Sequence, residues 1–217
     1  MRLSLRGVGS VLAVGLLACL PQTASAQFAF SSVGAVAGNQ NFGGTLGQFF
    51  TISSAPLTVS ALGAFDGLVA GFGAGTTITV GISDATYTTI FTQTTFTQAA
   101  PGVPGAGSFT FKGTGPTVLP VGNYLLFAYG YNATDMNFNS GGNPSSFTLN
   151  TFSGTVSYGT SAFSGTANSL PTINEPIVGR YGAASFVATS PVVPEPGTLA
   201  LLGLGMMAGV VARRRRA

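Results

Sequence analysis

Four carboxylates, Asp66, Asp84, Asp135 and Glu175, are the side chains of the central region best suited to acid–base or metal chemistry. Histidine is absent from the 217 residues, and the single cysteine, Cys19, lies near the N-terminus. Without histidine, neither a Ser-His-Asp triad nor a Cys-His pair can be assembled. Zinc takes several nitrogen or sulfur ligands, which this composition does not supply. A glycosidase needs two carboxyl groups flanking the scissile bond, and no local spacing pairs any of the four. Calcium needs six or more oxygens, usually clustered. Asp66, Asp84 and Asp135 are far apart along the chain, and each fits a turn, where Asp hydrogen-bonds its own backbone. The composition therefore points to a non-enzymatic protein with no metal and no cofactor.

A second group of polar and aromatic residues suggests recognition rather than catalysis. Tyr124, Tyr129 and Tyr131 lie close to Asn123, Asn132, Asp135 and Asn137. Aromatic faces stack on sugars while amides and carboxylates bind hydroxyls, so these tyrosines are candidate sugar contacts. The competing reading places Tyr129 and Tyr131 on one strand face as cross-strand packing. Asn132-Ala133-Thr134 also matches an N-glycosylation sequon, a pattern short enough to arise by chance.

The elements that must position these residues are short strands. "LTVSALGAF" (57–65) and "TTITVGIS" (76–83) alternate apolar and polar residues, the period-two mark of a strand with one buried face. Further candidates are "QFAFSS", "LGQFFTIS" (46–53), "TTIFTQTTF" (88–96), "SFTFK" (108–112), "TVLP" (117–120), "NYLLFAYGY" (123–131), "FTLNTFSGTVSY" (147–158) and "YGAASFVAT" (181–189). The strand signal fades between residues 160 and 178. Gly (32 residues) suits many turns, and 17 Phe suit pleated, half-buried surfaces. The fold class predicted is all-β: an antiparallel β-sandwich, jelly-roll-like, over residues 27–190.

Positive charge is concentrated at the ends. Only 6% of residues are charged, against about 25% in ordinary soluble proteins. Between residues 27 and 190 the only cations are Lys112 and Arg180, facing four carboxylates. Such a body has no phosphate-neutralising surface, which excludes nucleic acid as a partner. The remaining cations are Arg2, Arg6 and the terminal Arg213, Arg214, Arg215 and Arg216.

The first 26 residues have the three parts of a secretory signal: Arg2 and Arg6, an apolar core over Val8–Leu20, and the small residues Ala24-Ser25-Ala26. Cleavage after Ala26 makes Gln27 the mature N-terminus and removes Cys19. A lipoprotein signal ending at Cys19 fits less well, because Leu20-Pro21 follows it. At the other end, Thr198–Ala212 is uncharged and apolar, extendable to Gly197. As a helix the 198–212 run reaches roughly 23 Å, and about 24 Å over 197–212, slightly short of a ~30 Å hydrocarbon core. The arginines that follow hold the C-terminus in the cytoplasm by the positive-inside rule. The flanking organisation is then a signal peptide (1–26) and a C-terminal segment (191–217) with a transmembrane helix, the membrane being one partner.

Val193-Pro194-Glu195-Pro196 precedes that run, and its prolines keep the backbone extended and delay the helix. This motif, a short Gly-rich helix and an Arg cluster, in order over about 25 residues, resemble the PEP-CTERM sorting signal of Gram-negative bacteria. The resemblance implies an exosortase-type transpeptidase as partner and an inner-membrane intermediate. It further implies release to the cell surface or medium, in species that make exopolysaccharide and biofilm. The expectation is an exported surface or matrix protein; the alternative is a polysaccharide-binding sandwich module. Leu62-Gly63-Ala64-Phe65-Asp66 and "LPVGNYLLFAY" resemble, in addition, a β-domain that often precedes such tails. The turn after Asp66-Gly67 is apolar here, where that group carries more Gly and Asp.

Overall fold

A computed structural model describes residues 25–32, 34–67, 70–141 and 147–190. The apolar core of the expected signal peptide, the Pro194-Glu195-Pro196 motif, the expected helix over 197–212 and the arginine cluster lie outside the described residues.

The body, Ser25–Pro191, is a compact all-β unit. Numbered in chain order, its first sheet runs β1 (Gln27–Phe28), β15 (Ala184–Thr189), β4 (Leu57–Phe65), β8 (Phe109–Leu119), β7 (Val103–Pro104). The second runs β13 (Ile173–Glu175), β12 (Val156–Ser164), β3 (Thr45–Ile52), β9 (Gly122–Tyr129), β5 (Thr77–Asp84), β6 (Ile90–Thr97). Two short ladders complete it, β2 (Phe30–Ser32) with β11 (Phe147–Leu149) and β10 (Phe138–Asn139) with β14 (Tyr181–Gly182). Every pairing is antiparallel.

The pairs are nested. β5 pairs with β6, β4 with β8, β3 with β9, and β1 with β15, so early strands meet late ones as in one long hairpin wound on itself. Successive nested pairs fall in alternate sheets, and the sheets pack face to face. Alternation in the sequence sets which side chains meet between them: Leu46, Phe50 and Ile52 from β3, Ile78, Val80 and Ile82 from β5, and Leu62, Ala64 and Phe186 from the facing sheet. Phe50 lies 5.5 Å from Phe186 across the interface. Aromatic pairs of this kind add about 0.5–1.5 kcal/mol beyond area burial.

One side of the sandwich curls shut. Lys112 of β8 reaches β6, where its Nζ donates to the Thr95 carbonyl and sits 5.0 Å from the Phe96 ring centroid. The outer face of the second sheet is also covered. Gly81 and Gly47 leave room for Phe127 and Leu125 to lie flat, since a Cβ on Gly81 would come within 2.4 Å of the Phe127 ring. Tyr87 packs on Phe127 at 4.9 Å and its hydroxyl donates to Asn168 Oδ1 at 3.1 Å. The turn after β5 and the segment after β12 thus meet over that face.

Several strand boundaries differ from the sequence pattern for identifiable reasons. β8 is continuous where two strands, 108–112 and 117–120, are expected. The Gly115-Pro116 break is absorbed in a bulge, because Val59 pairs with Thr117 while Ala61 pairs with Gly113. Bulges and edges are where sheets tolerate Gly and Pro. The expected strand 147–158 is two elements, split by a turn in which Phe152, Ser153 and Gly154 have φ of 49°, 57° and 84°. β12 and β13 occupy part of the region where the signal fades.

Candidate functional site

The four carboxylates divide into three local arrangements. Asp84 ends β5 and organises the turn to β6: its carboxylate accepts from the Thr86 and Thr88 hydroxyls at 2.6 Å each and from the N–H groups of Thr88 and Thr89. Those hydroxyls, aided by the Thr89 amide, hold its pKa far below the usual carboxylate range. Glu175 accepts from Arg180 Nη1 at 2.6 Å and ties β13 to the strand-connecting loop. Asp66 and Asp135, 69 positions apart by their numbers, flank one loop: Asp66 accepts from Gly71 N–H at 3.1 Å, and Asp135 from Gly73 N–H at 3.0 Å. Burial, and secondarily the charge on Asp135, push the Asp66 carboxyl above its usual range. Asn132 shapes the second half of this arrangement, accepting from Thr134 and Asp135 N–H groups while donating to Thr76 Oγ1. These carboxylates tie turns and loops together, each accepting from at least one chain donor. Among the described residues no group of three or more His, Cys, Asp or Glu converges as a metal cage.

The three tyrosines have separate fates. Tyr124 is buried in β9, stacked on Phe50 at 5.4 Å, and its hydroxyl donates to the Pro120 carbonyl at 2.7 Å. Tyr131 is not in β9: the strand ends at Tyr129, and Gly130 takes φ 99°. That reversal turns Tyr131 into the interior, where it is 2% exposed. Its hydroxyl donates to the Ala183 carbonyl at 2.5 Å and accepts from Phe65 N–H at 2.9 Å. Burial drives its pKa well above the usual phenolic range. Tyr129 is half-buried on the outer face, parallel to Phe127 at 6.3 Å. The structure therefore does not assemble a three-tyrosine platform, and neither Tyr124 nor Tyr131 offers a free ring face.

One polar centre escapes sequence reasoning. Gln48 lies on the inward face of β3, between Leu46 and Phe50, and is buried. Its Nε2 donates to the carbonyls of Phe49, Gly159 and Thr160, while Oε1 accepts from Ser161 Oγ and Gly179 N–H. These bonds fill the bulge of β12 between Tyr158 and Ser161. A polar residue at an apolar position of "LGQFFTIS" is the one signal that could have flagged it. The adjoining cavity, lined by Leu46, Gln48, Leu126 and Tyr181 among others, measures about 10 Å³, at the lower limit for a single water.

The body's two ends lie together. β1 pairs with β15, with Gln27 opposite Ala188 and Phe28 opposite Val187. Ala26 is exposed just before that ladder; Ala24 lies outside the described residues. Residues leading to both terminal segments therefore leave from neighbouring strands.

Comparison with known proteins bears on the C-terminal segment. Residues 192–216 match the PEP-CTERM protein-sorting motif. No curated protein matches the chain. The chain thus carries a PEP-CTERM sorting signal directly after a β-sandwich body.

Proposed function

We propose that the protein is an exosortase substrate whose β-sandwich body is delivered to the cell surface or medium after processing at the C-terminal signal. The match of residues 192–216 to the sorting motif carries this reading. Val193-Pro194-Glu195-Pro196 is the recognition segment, an extended, proline-locked stretch bearing a single negative charge. Residues 197–212 form the membrane helix, and Arg213, Arg214, Arg215 and Arg216 stop its translocation. At the opposite end, Ala24 and Ala26 direct signal-peptide removal, leaving Gln27 first. The domains are then 1–26, 27–190 and 191–217, with an inner-membrane intermediate that awaits processing.

The role of the body is structural rather than catalytic, a reading supported by Asp66, Asp84 and Asp135 accepting from turn and loop amides and by the Tyr124 and Tyr131 hydroxyls donating to backbone carbonyls. The order β1-β15-β4-β8 facing β3-β9-β5-β6, with its nested pairs, supports a jelly-roll reading of the sandwich. Association with exopolysaccharide or a biofilm matrix follows from the sorting pathway that the motif resembles.

The test is made in the producing cell. Glu195→Ala, or deletion of Arg213–Arg216, is expected to leave precursor in the membrane fraction while the unaltered protein is processed. Processing of both variants at the normal rate would remove the sorting reading.

A further inference from the structure

The outer face of the second sheet carries the one tyrosine of β9 whose ring solvent still reaches. Phe127 and Tyr129, two apart on β9, point to the same face, with ring planes 3° from parallel. Phe127 is fully buried and leans toward β5, its ring filling the space that a Cβ on Gly81 would need. Tyr129 lies beside its register partner Thr79, which is only 6% exposed although it points away from the core. Tyr129 itself is half-buried.

Two residues in left-handed backbone close one side of this surface. Tyr87, at φ 60°, belongs to the turn after β5, and Asn168, at φ 53°, to the segment after β12. Their side chains are hydrogen-bonded to each other. Such backbone is an outlier for a bulky aromatic residue, and outliers of this kind cluster at ligand sites. The Tyr87 and Tyr129 phenols are neighbours: burial, and secondarily Tyr129, push the Tyr87 hydroxyl up to about 12. On the other side, Gln93 and Thr95 of β6 stand opposite Gly81 and Thr79, so their side chains share the outer face. Gln93 and Asn168 are exposed.

We propose that this face binds a neutral polysaccharide of glucose-like pyranose units, with a sugar ring stacked on Tyr129 and its hydroxyls bonded by Asn168 and Gln93. A pyranose with equatorial hydroxyls presents C–H groups on its faces and hydrogen-bonding groups around its rim. A single aromatic ring flanked by amides and hydroxyls is complementary to that pattern. The surroundings select against a charged ligand. Of the two cations of the body, Lys112 has its Nζ at the Thr95 carbonyl and Arg180 is paired with Glu175. A nucleotide would also stack, but its phosphates need cations that this face does not offer. The inference deepens, and rests on, the matrix association proposed above. Processing tests the sorting reading and sugar binding tests this site, so either can fail alone.

The full chain, purified in a detergent without a sugar headgroup, is titrated with cellohexaose by isothermal calorimetry. The parent is expected to bind. Tyr129→Ala, with the far-ultraviolet spectrum of the parent, should weaken binding about tenfold or more, the scale of one lost stacking contact. Tyr129→Phe keeps the ring and should stay within about threefold of the parent. Asn168→Ala and Gln93→Ala, at exposed positions, should each weaken binding about threefold or more. These two carry the test if Tyr129→Ala does not fold, and unchanged binding in both would overturn the proposal. No binding of cellohexaose by the parent, or undiminished binding by a folded Tyr129→Ala, would overturn it equally.

Discussion

Tyr131 joins three separate pieces of chain through one oxygen, accepting from Phe65 and donating to Ala183. Phe65 N–H also donates to the Ala183 carbonyl at 3.2 Å, so removing the hydroxyl leaves these two groups paired with each other. It takes away two hydrogen bonds, worth about 0.5–1.5 kcal/mol each. We expect Tyr131→Phe to lower unfolding stability by about 1–2 kcal/mol in urea titration, whereas the same change at the half-buried Tyr129 has little effect. Asp66 gives the pH dependence at this scale. Its folded pKa lies above the unfolded value of about 3.9, because burial and Asp135 disfavour the charge. Protonation therefore stabilises the fold: the contribution is complete below about pH 4 and is lost as pH rises through the folded pKa. Asp66→Asn keeps an acceptor for Gly71 N–H and carries no charge. It should be more stable than the parent at pH 7, with a flatter stability profile from pH 4 upward, as denaturant midpoints at each pH would show.

At the scale of elements, the glycines separate two kinds of backbone demand. Gly130 ends β9 at φ 99°, and a Cβ there would come within 2.1 Å of the Thr77 carbonyl oxygen. Gly115 in the β8 bulge has φ 76° with nothing within 4 Å of that position. Gly115→Ala should therefore cost only the backbone strain, about 1 kcal/mol. Gly130→Ala combines strain with a clash against fixed backbone and should cost roughly 3 kcal/mol or more; parallel urea titrations compare them. The same two glycines show what was legible beforehand. Period-two alternation located β4 and β5, and a continuous apolar run located β9, whose residues Tyr124 to Ala128 are buried on both faces. Both failed where the backbone itself carries the information. Gly115-Pro116 reads as a break but is a bulge; Phe152, at left-handed φ, reads as strand but is a turn whose ring stacks on Phe186 at 5.7 Å. The sequence pattern places Tyr131 on a strand face, because Gly130 cannot be read as a reversal from its neighbours alone. That Gln48 fills a bulge in β12 depends on contacts more than 100 residues apart.

For the whole molecule, the chain divides its tasks between ends and middle. All of the arginines but Arg180 sit at the ends, and the middle is a wound β-body. The first and last strands of that body pair, so Gln27 and Ala188 stand opposite each other. The C-terminal signal was legible in the sequence because its motif, apolar run and arginines are contiguous, which needs no folding to bring together. The body's polar centres were not, because they are assembled from distant segments. The central claim, that residues 192–216 are a sorting signal acted on after export, is tested most directly by the intact mass of the protein recovered from the cell surface or medium. The account predicts a species that begins at Gln27 and lacks residues 198–217. A surface species that still carries those residues would contradict processing and leave the segment a permanent anchor.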